Sequence, residues 1–169
     1  MEAEGNDELG SFLINLAKWG KQEYEVDPAR YEAEYAKHLT SADWYMRKVA
    51  VYCLLFSLKL KKTEYRNYAI TRVLDRREDF EVRLWSGSGL SSAYESTQDV
   101  ELLEVLTLAS HARDEDDVLK SSFLKDALQI FGVSSRDQAF RLKSLDARLI
   151  EIQSTFNEEL KEIERLISK

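Results

Sequence analysis

Three stretches decide how this chain is read: Asp43-Trp-Tyr-Met-Arg47, Asp79-Phe-Glu-Val-Arg83 and Asp116-Asp-Val-Leu119. They recur about 36 residues apart, the interval expected when two helices and their turns form one unit that stacks on the next. Each stretch opens a helix. Behind Asp43, the residues Trp44, Met46, Val49, Ala50, Cys53, Leu54 and Phe56 are apolar on more than one side, which predicts a central helix. A helix from Asp79 to about Tyr94 follows in the second unit. In the third, Phe123, Leu124, Ala127, Leu128, Ile130 and Phe131 end at Gly132, a C-terminal cap.

The second helix of each pair is legible between these stretches. Thr63 is placed to cap a helix striped by Tyr65, Ala69, Ile70, Val73 and Leu74, and Asp99 to cap one carrying Leu102, Leu103, Val105, Leu106 and Ala109. Further out, Phe12, Leu13, Leu16 and Trp19 predict a helix over 8–20 that ends near Gly20, paired with a helix over 28–39 opened by Asp27-Pro28. Beyond Gly132, Ser134-Ser-Arg-Asp137 has the form of a capping box and opens a short helix to about Lys143. Leu145, Leu149, Ile152, Phe156, Leu160, Ile163 and Ile167 then predict one long closing helix from Ser144 to the C-terminus.

The repeat resembles HEAT repeats, the helix-pair units of armadillo-type α-solenoids. In that family an aspartate in the turn precedes an apolar and a basic residue, and small residues follow where helices pack closely. Here Met46-Arg47 is followed by Ala50 and Cys53, and Val82-Arg83 by Ser86 and Gly89-Leu90. The third unit departs from the pattern, with Leu119 in the basic position and Ala127-Leu128 about two residues late. The resemblance covers 41–132. It implies an all-α, α-α superhelix of about four antiparallel helix pairs, in one domain. Residues 1–40 would be an N-terminal capping pair and 133–169 the C-terminal capping helices, which cover the apolar ends of such an array.

Composition agrees with helices. Across 169 residues there are one proline and six glycines, too few turn residues for a sandwich or barrel. The net charge of −7 makes a nucleic-acid partner unfavourable, since that contact needs a basic footprint. Cys53, the single cysteine, lies in the apolar run 49–56 and reads as core. The acidic N-terminal stretch lacks the basic-then-apolar order of a secretory leader, which points to the cytoplasm, and no apolar run is long enough to cross a membrane.

No catalytic constellation emerges. His38 and His111 fall in different pairs, with no zinc spacing around them, so no metal and no cofactor is expected. Gly87-Ser-Gly89 lacks the strand and the Lys-Ser/Thr of a phosphate loop and reads as a close-packing site. Asp114-Glu-Asp-Asp117 reads as solvated turn and capping residues.

Charge is the remaining signal. Lys59, Lys61, Lys62, Arg66, Arg72, Arg76 and Arg77 make the middle pair basic, while Glu95, Asp99, Glu101, Glu104 and 114–117 make the next pair acidic. Neighbouring strips of opposite sign either neutralise each other or form a binding surface. On the second reading Tyr45, Lys62, Arg66, Tyr68, Arg72 and Arg76 are the partner-binding candidates, on a face lined by 63–76 and 99–111. The expected function is a non-enzymatic protein–protein interaction or scaffold module with a protein partner. The alternatives are an acidic antitoxin or immunity-type inhibitor of a basic toxin and, as implied by the resemblance, a HEAT-like DNA glycosylase or bilin lyase.

Overall fold

The computed structural model describes the backbone of residues 2–23 and 28–169 and the side chains of 6–18 and 31–169. The side chain of Trp19 and the expected cap Asp27 lie outside the described residues. Ten α-helices and no strand occur among the described residues, so the protein is all-α. They are α1 (Glu2–Glu23), α2 (Pro28–Ala36), α3 (Trp44–Val51), α4 (Thr63–Leu74), α5 (Phe80–Ala93), α6 (Val100–Ser110), α7 (Asp117–Phe131), α8 (Ser135–Arg141), α9 (Leu149–Thr155) and α10 (Asn157–Ile167). A 3-10 turn, Lys37–Thr40, ends the second segment, and α3 runs directly into a π-helical turn, Tyr52–Ser57.

The aspartates of the repeat cap the helices that follow them. Asp43 Oδ1 accepts from the Tyr45 N–H at 2.9 Å, Asp79 Oδ1 from Glu81 at 2.9 Å, and Asp116 Oδ1 from Val118 at 2.8 Å. Asp99 caps α6 through the Leu102 N–H. Gly132 closes α7 at φ 130°, in the left-handed range that side chains resist. Thr63, expected to cap, is instead the first residue of α4, and Lys62 before it makes no side-chain cap.

The first helices of successive pairs lie against one another, α1 on α3, α3 on α5 and α5 on α7, while α4 packs on α6 and α6 on α10. Two rows of helices thus enclose a core in which Leu54, Leu90, Leu103, Leu106, Phe123 and Phe156 are fully buried. Each such side chain contributes about 1.5–3 kcal/mol relative to exposure. Cys53 is part of this core, as expected, and burial pushes its thiol up to about 12. Close approach of α5 to its neighbours explains its glycines. A Cβ on Gly89 would stand 2.9 Å from Leu55 Cβ, and one on Gly87 would stand 2.7 Å from Asp126 Oδ2.

Three boundaries differ from the sequence reading. The first helix extends on both sides of 8–20, running past Gly20 to Glu23. The π-helical turn has no counterpart in the periodicity; it widens the backbone so that Leu58 N–H donates to Cys53 O, and the Phe56 carbonyl accepts from Ser92 Oγ at 3.0 Å. The long closing helix is replaced by two short ones. Leu142 is extended, the Lys143 N–H donates to Glu151 Oε1 at 2.7 Å, and Lys125 Nζ holds the Leu145 carbonyl at 2.8 Å, so 142–148 forms no helix. Phe156 leaves helical dihedrals between α9 and α10 because its ring is fully buried, with the Arg141 guanidinium 4.1 Å from its centroid.

Candidate functional site

Five of the basic residues of α4 and its flanking turns, Lys59, Lys62, Arg66, Arg72 and Arg76, face acids elsewhere in the chain. Arg66 Nη1 donates to Glu101 at 2.7 Å and Nη2 to Asp99 at 2.9 Å, joining α4 to α6. Lys62 Nζ reaches Glu32 of α2 at 2.5 Å, and Tyr65 hydrogen-bonds the same carboxylate. Those two hydrogen bonds, Lys62's the stronger, lower the Glu32 pKa. Arg72 donates to Glu78 at 3.0 Å and lies 5.3 Å from the centre of the Tyr68 ring, whose hydroxyl is buried without a hydrogen-bond partner. Arg76, half exposed, stands 4.0 Å from Asp114. Of the six candidates, then, Lys62, Arg66, Tyr68, Arg72 and Arg76 lie together on and beside α4, with every cation in an ion pair. Tyr45 lies apart, on α3.

A second set of pairs escaped the sequence reading. Four residues after its capping aspartate, Arg47 grips Glu78 through Nε at 3.2 Å and Nη2 at 2.5 Å; Arg83 grips Glu115 through Nη1 at 2.9 Å and Nη2 at 2.5 Å. In both, the glutamate immediately precedes the next unit's capping aspartate and accepts from that aspartate's own N–H. Burial pushes Glu78 upward, but donation from Arg47, the Asp79 N–H and Arg72 outweighs it and holds the carboxyl at about 2. Glu115, expected to be solvated, has only 6% of its side chain exposed, whereas Asp114 and Asp117 on either side of 115–116 are more than four-fifths exposed. The Glu-Asp dipeptides at 78–79 and 115–116, each just over 30 residues beyond an arginine, were the available signal.

Between α1, α3 and α5 lies a groove of about 330 Å³ lined by Ile14, Lys18, Tyr45, Lys48, Val49, Tyr52, Phe56 and Trp85. The π-helical turn supplies two of its aromatic walls. Tyr52 and Phe56 are stacked at 5.3 Å, and both meet Trp85 edge-on, at 5.0 and 5.4 Å. Lys18 Nζ lies 5.7 Å from the centre of the Tyr52 ring, and Lys48 Nζ lies 4.8 Å from that of Tyr45 and 5.1 Å from that of Trp44. Lys18 and Lys48 are the charged residues of the lining; at the rim, Glu81 approaches Lys48 at 3.7 Å. A larger hollow of about 670 Å³ between α7 and 146–150 carries Asp117 and Asp146 beside Lys125 and Arg148, so its charges offset.

Among the described residues no three Cys, His, Asp or Glu side chains converge as metal ligands, and no helix is long and apolar enough to cross a membrane. His111 Nδ1 is held to Thr107 O at 2.8 Å, and burial lowers the His38 pKa. Gly87 and Gly89 lie inside α5, so their N–H groups are committed to a helix and form no phosphate loop. The most perturbed carboxyl is Asp126 of α7. Its Oδ1 accepts from Ser91 at 2.7 Å, its Oδ2 is buried without a partner, and burial pushes it to about 7. No protein-family model, curated protein or solved structure matches the chain.

Proposed function

We propose that the protein is a non-enzymatic interaction module of HEAT-like, α-α superhelical form that holds a protein partner on a helix-lined surface. The superhelical reading is supported by the repeated caps at Asp43, Asp79 and Asp116 and by the repeated Arg47–Glu78 and Arg83–Glu115 pairs, which tie each unit to the next in the same way. The interaction reading rests on the groove between α1, α3 and α5. Its tyrosines and Trp85 are of the types that dominate binding hot spots, set in a concave surface whose charged residues are Lys18 and Lys48. The α4 face has the same types of residue, but its cations already have carboxylate partners in the chain. Acid–base or metal chemistry lacks a comparable cluster among the described residues.

Co-purification under native conditions tests this. The module reading expects a partner that is retained at a fixed stoichiometry through purification and is lost when Trp85 is replaced by Ala in a protein that stays folded. Turnover of a substrate by the isolated chain, with no partner retained, would contradict it.

A further inference from the structure

The α1–α3–α5 groove combines three properties that together define what fits it. Its walls are aromatic and partly exposed: Phe56 is 38% exposed, and Tyr45, Tyr52 and Trp85 are each half-buried. Such rings in a concavity favour a bulky apolar side chain, since burying one releases water from both surfaces. Its charge is positive in a chain whose net charge is −7, and the cations are lysines laid across ring faces. That arrangement partly desolvates each ammonium, which strengthens the hydrogen bond a carboxylate brought into the groove would accept.

Its floor is also built. The π-helical turn sets Tyr52 and Phe56 against Trp85, and Ser92 holds the Phe56 carbonyl. The rings therefore need little reordering on binding, which lowers the entropic cost. Glu81 at the rim has 40% of its side chain exposed and sits 3.7 Å from Lys48. Lys48 is thus loosely paired already, and Lys18 is the cation of the lining whose gain from an incoming carboxylate is the larger.

We infer that this groove docks a peptide segment of a partner protein in which a carboxylate lies within two positions of a bulky aromatic or aliphatic side chain. The apolar side chain lies against the exposed parts of the Tyr52, Phe56 and Trp85 rings, and the carboxylate meets Lys18, with Lys48 adding to the positive potential of the groove. The space, about 330 Å³, suits one or two side chains, so a short linear motif fits better than a broad flat interface. The inference rests on the interaction-module reading and sharpens it to one surface and one class of partner.

Selection of a random peptide display library on the whole folded chain tests it, followed by affinity measurement of a synthetic copy of the most enriched peptide. Enrichment of Asp or Glu next to Phe, Trp or Leu is expected. Binding should fall at least tenfold in the double variant Lys18→Glu with Lys48→Glu, and by less than twofold in Lys161→Glu with Arg165→Glu. The second variant makes the same change of net charge on α10. Circular dichroism and the unfolding midpoint establish that both variants are folded, and Lys18→Ala with Lys48→Ala, which introduces no repulsion, should still weaken binding several-fold. Acidic peptides whose affinity survives reversal at Lys18 and Lys48, or falls equally in the α10 variant, would overturn the groove while leaving the module reading intact. Failure to enrich any peptide would overturn the groove proposal alone, since the module reading is decided by co-purification of a folded partner.

Discussion

The α4 face and the α1–α3–α5 groove contain the same residue types, lysine or arginine among aromatic rings, yet they differ in what surrounds the cations. On α4, Lys62, Arg66 and Arg72 each find a carboxylate at 2.5–3.0 Å on a neighbouring element or turn. In the groove, Lys18 and Lys48 rest on ring faces, and among the described residues Glu81 is the carboxylate that approaches them, at 3.7 Å from Lys48. A cation already paired in the free protein gains little from a partner's carboxylate, because it only exchanges one for another. The comparison teaches that residue type marks where charge lies along the chain, while the register of the helix pairs decides which charge is available.

The largest test of that division is Glu78, the carboxylate shared by Arg47 and Arg72. Replacing it with Ala leaves Arg47 with only the Ser41 and Ala42 carbonyls and Arg72 with only Asp75 at 3.8 Å, and should lower the unfolding free energy by about 3 kcal/mol, measured by urea denaturation at pH 7. Because the native pKa of about 2 lies below the ordinary value of 4.5, this stabilisation is complete above about pH 5. It is lost as pH falls toward 2, so the gap between wild type and variant should close over that range.

Asp126 is the opposite case, a buried carboxyl whose desolvation outweighs both the Ser91 hydrogen bond and the charge of Lys125. Its native pKa, raised from 3.8 to about 7, means that the folded chain holds a proton the unfolded chain releases first. Stability should therefore fall as pH rises from about 4 to 7, by on the order of 1 kcal/mol per unit. Asp126→Asn should flatten that slope and be the more stable protein at pH 8; parallel stability curves for the two would show that Asp126 titrates normally.

Smaller effects sharpen the comparison on α4 itself. Arg66→Ala removes the link to Asp99 and Glu101 and should cost about 1 kcal/mol, with peptide affinity at the groove unchanged. Lys62→Ala, at a half-exposed pair, should leave the thermal midpoint where it is. Loss of partner binding in either variant, with the fold intact, would return the binding surface to α4.

How much of this was legible follows from the range of each interaction. Asp79, Asp99 and Asp116 act on N–H groups two or three residues away, so the sequence places those helix starts to within a residue. Gly87 and Gly89 are equally local as a signal of close packing, although the partners, Asp126 and Leu55, are visible only in space. The break at 142–148 left no trace, because Leu145 and Phe156 keep helical spacing while one is exposed and the other is buried across a kink. The π-helical turn is hidden for a related reason: one extra residue per turn leaves composition unchanged. Charge was readable as two adjacent strips, and mutual neutralisation was one of its two readings. Only the folded register shows that Glu115, and not Asp114 or Asp117, is the residue buried against Arg83.

The central claim is that arginines placed four residues after the capping aspartates join successive helix pairs. Its most direct test is a double-mutant cycle of Arg83→Met and Glu115→Gln, read by urea denaturation. A favourable coupling of about 1–3 kcal/mol between the two side chains is expected. Single-variant losses that add to within about 0.5 kcal/mol would contradict it.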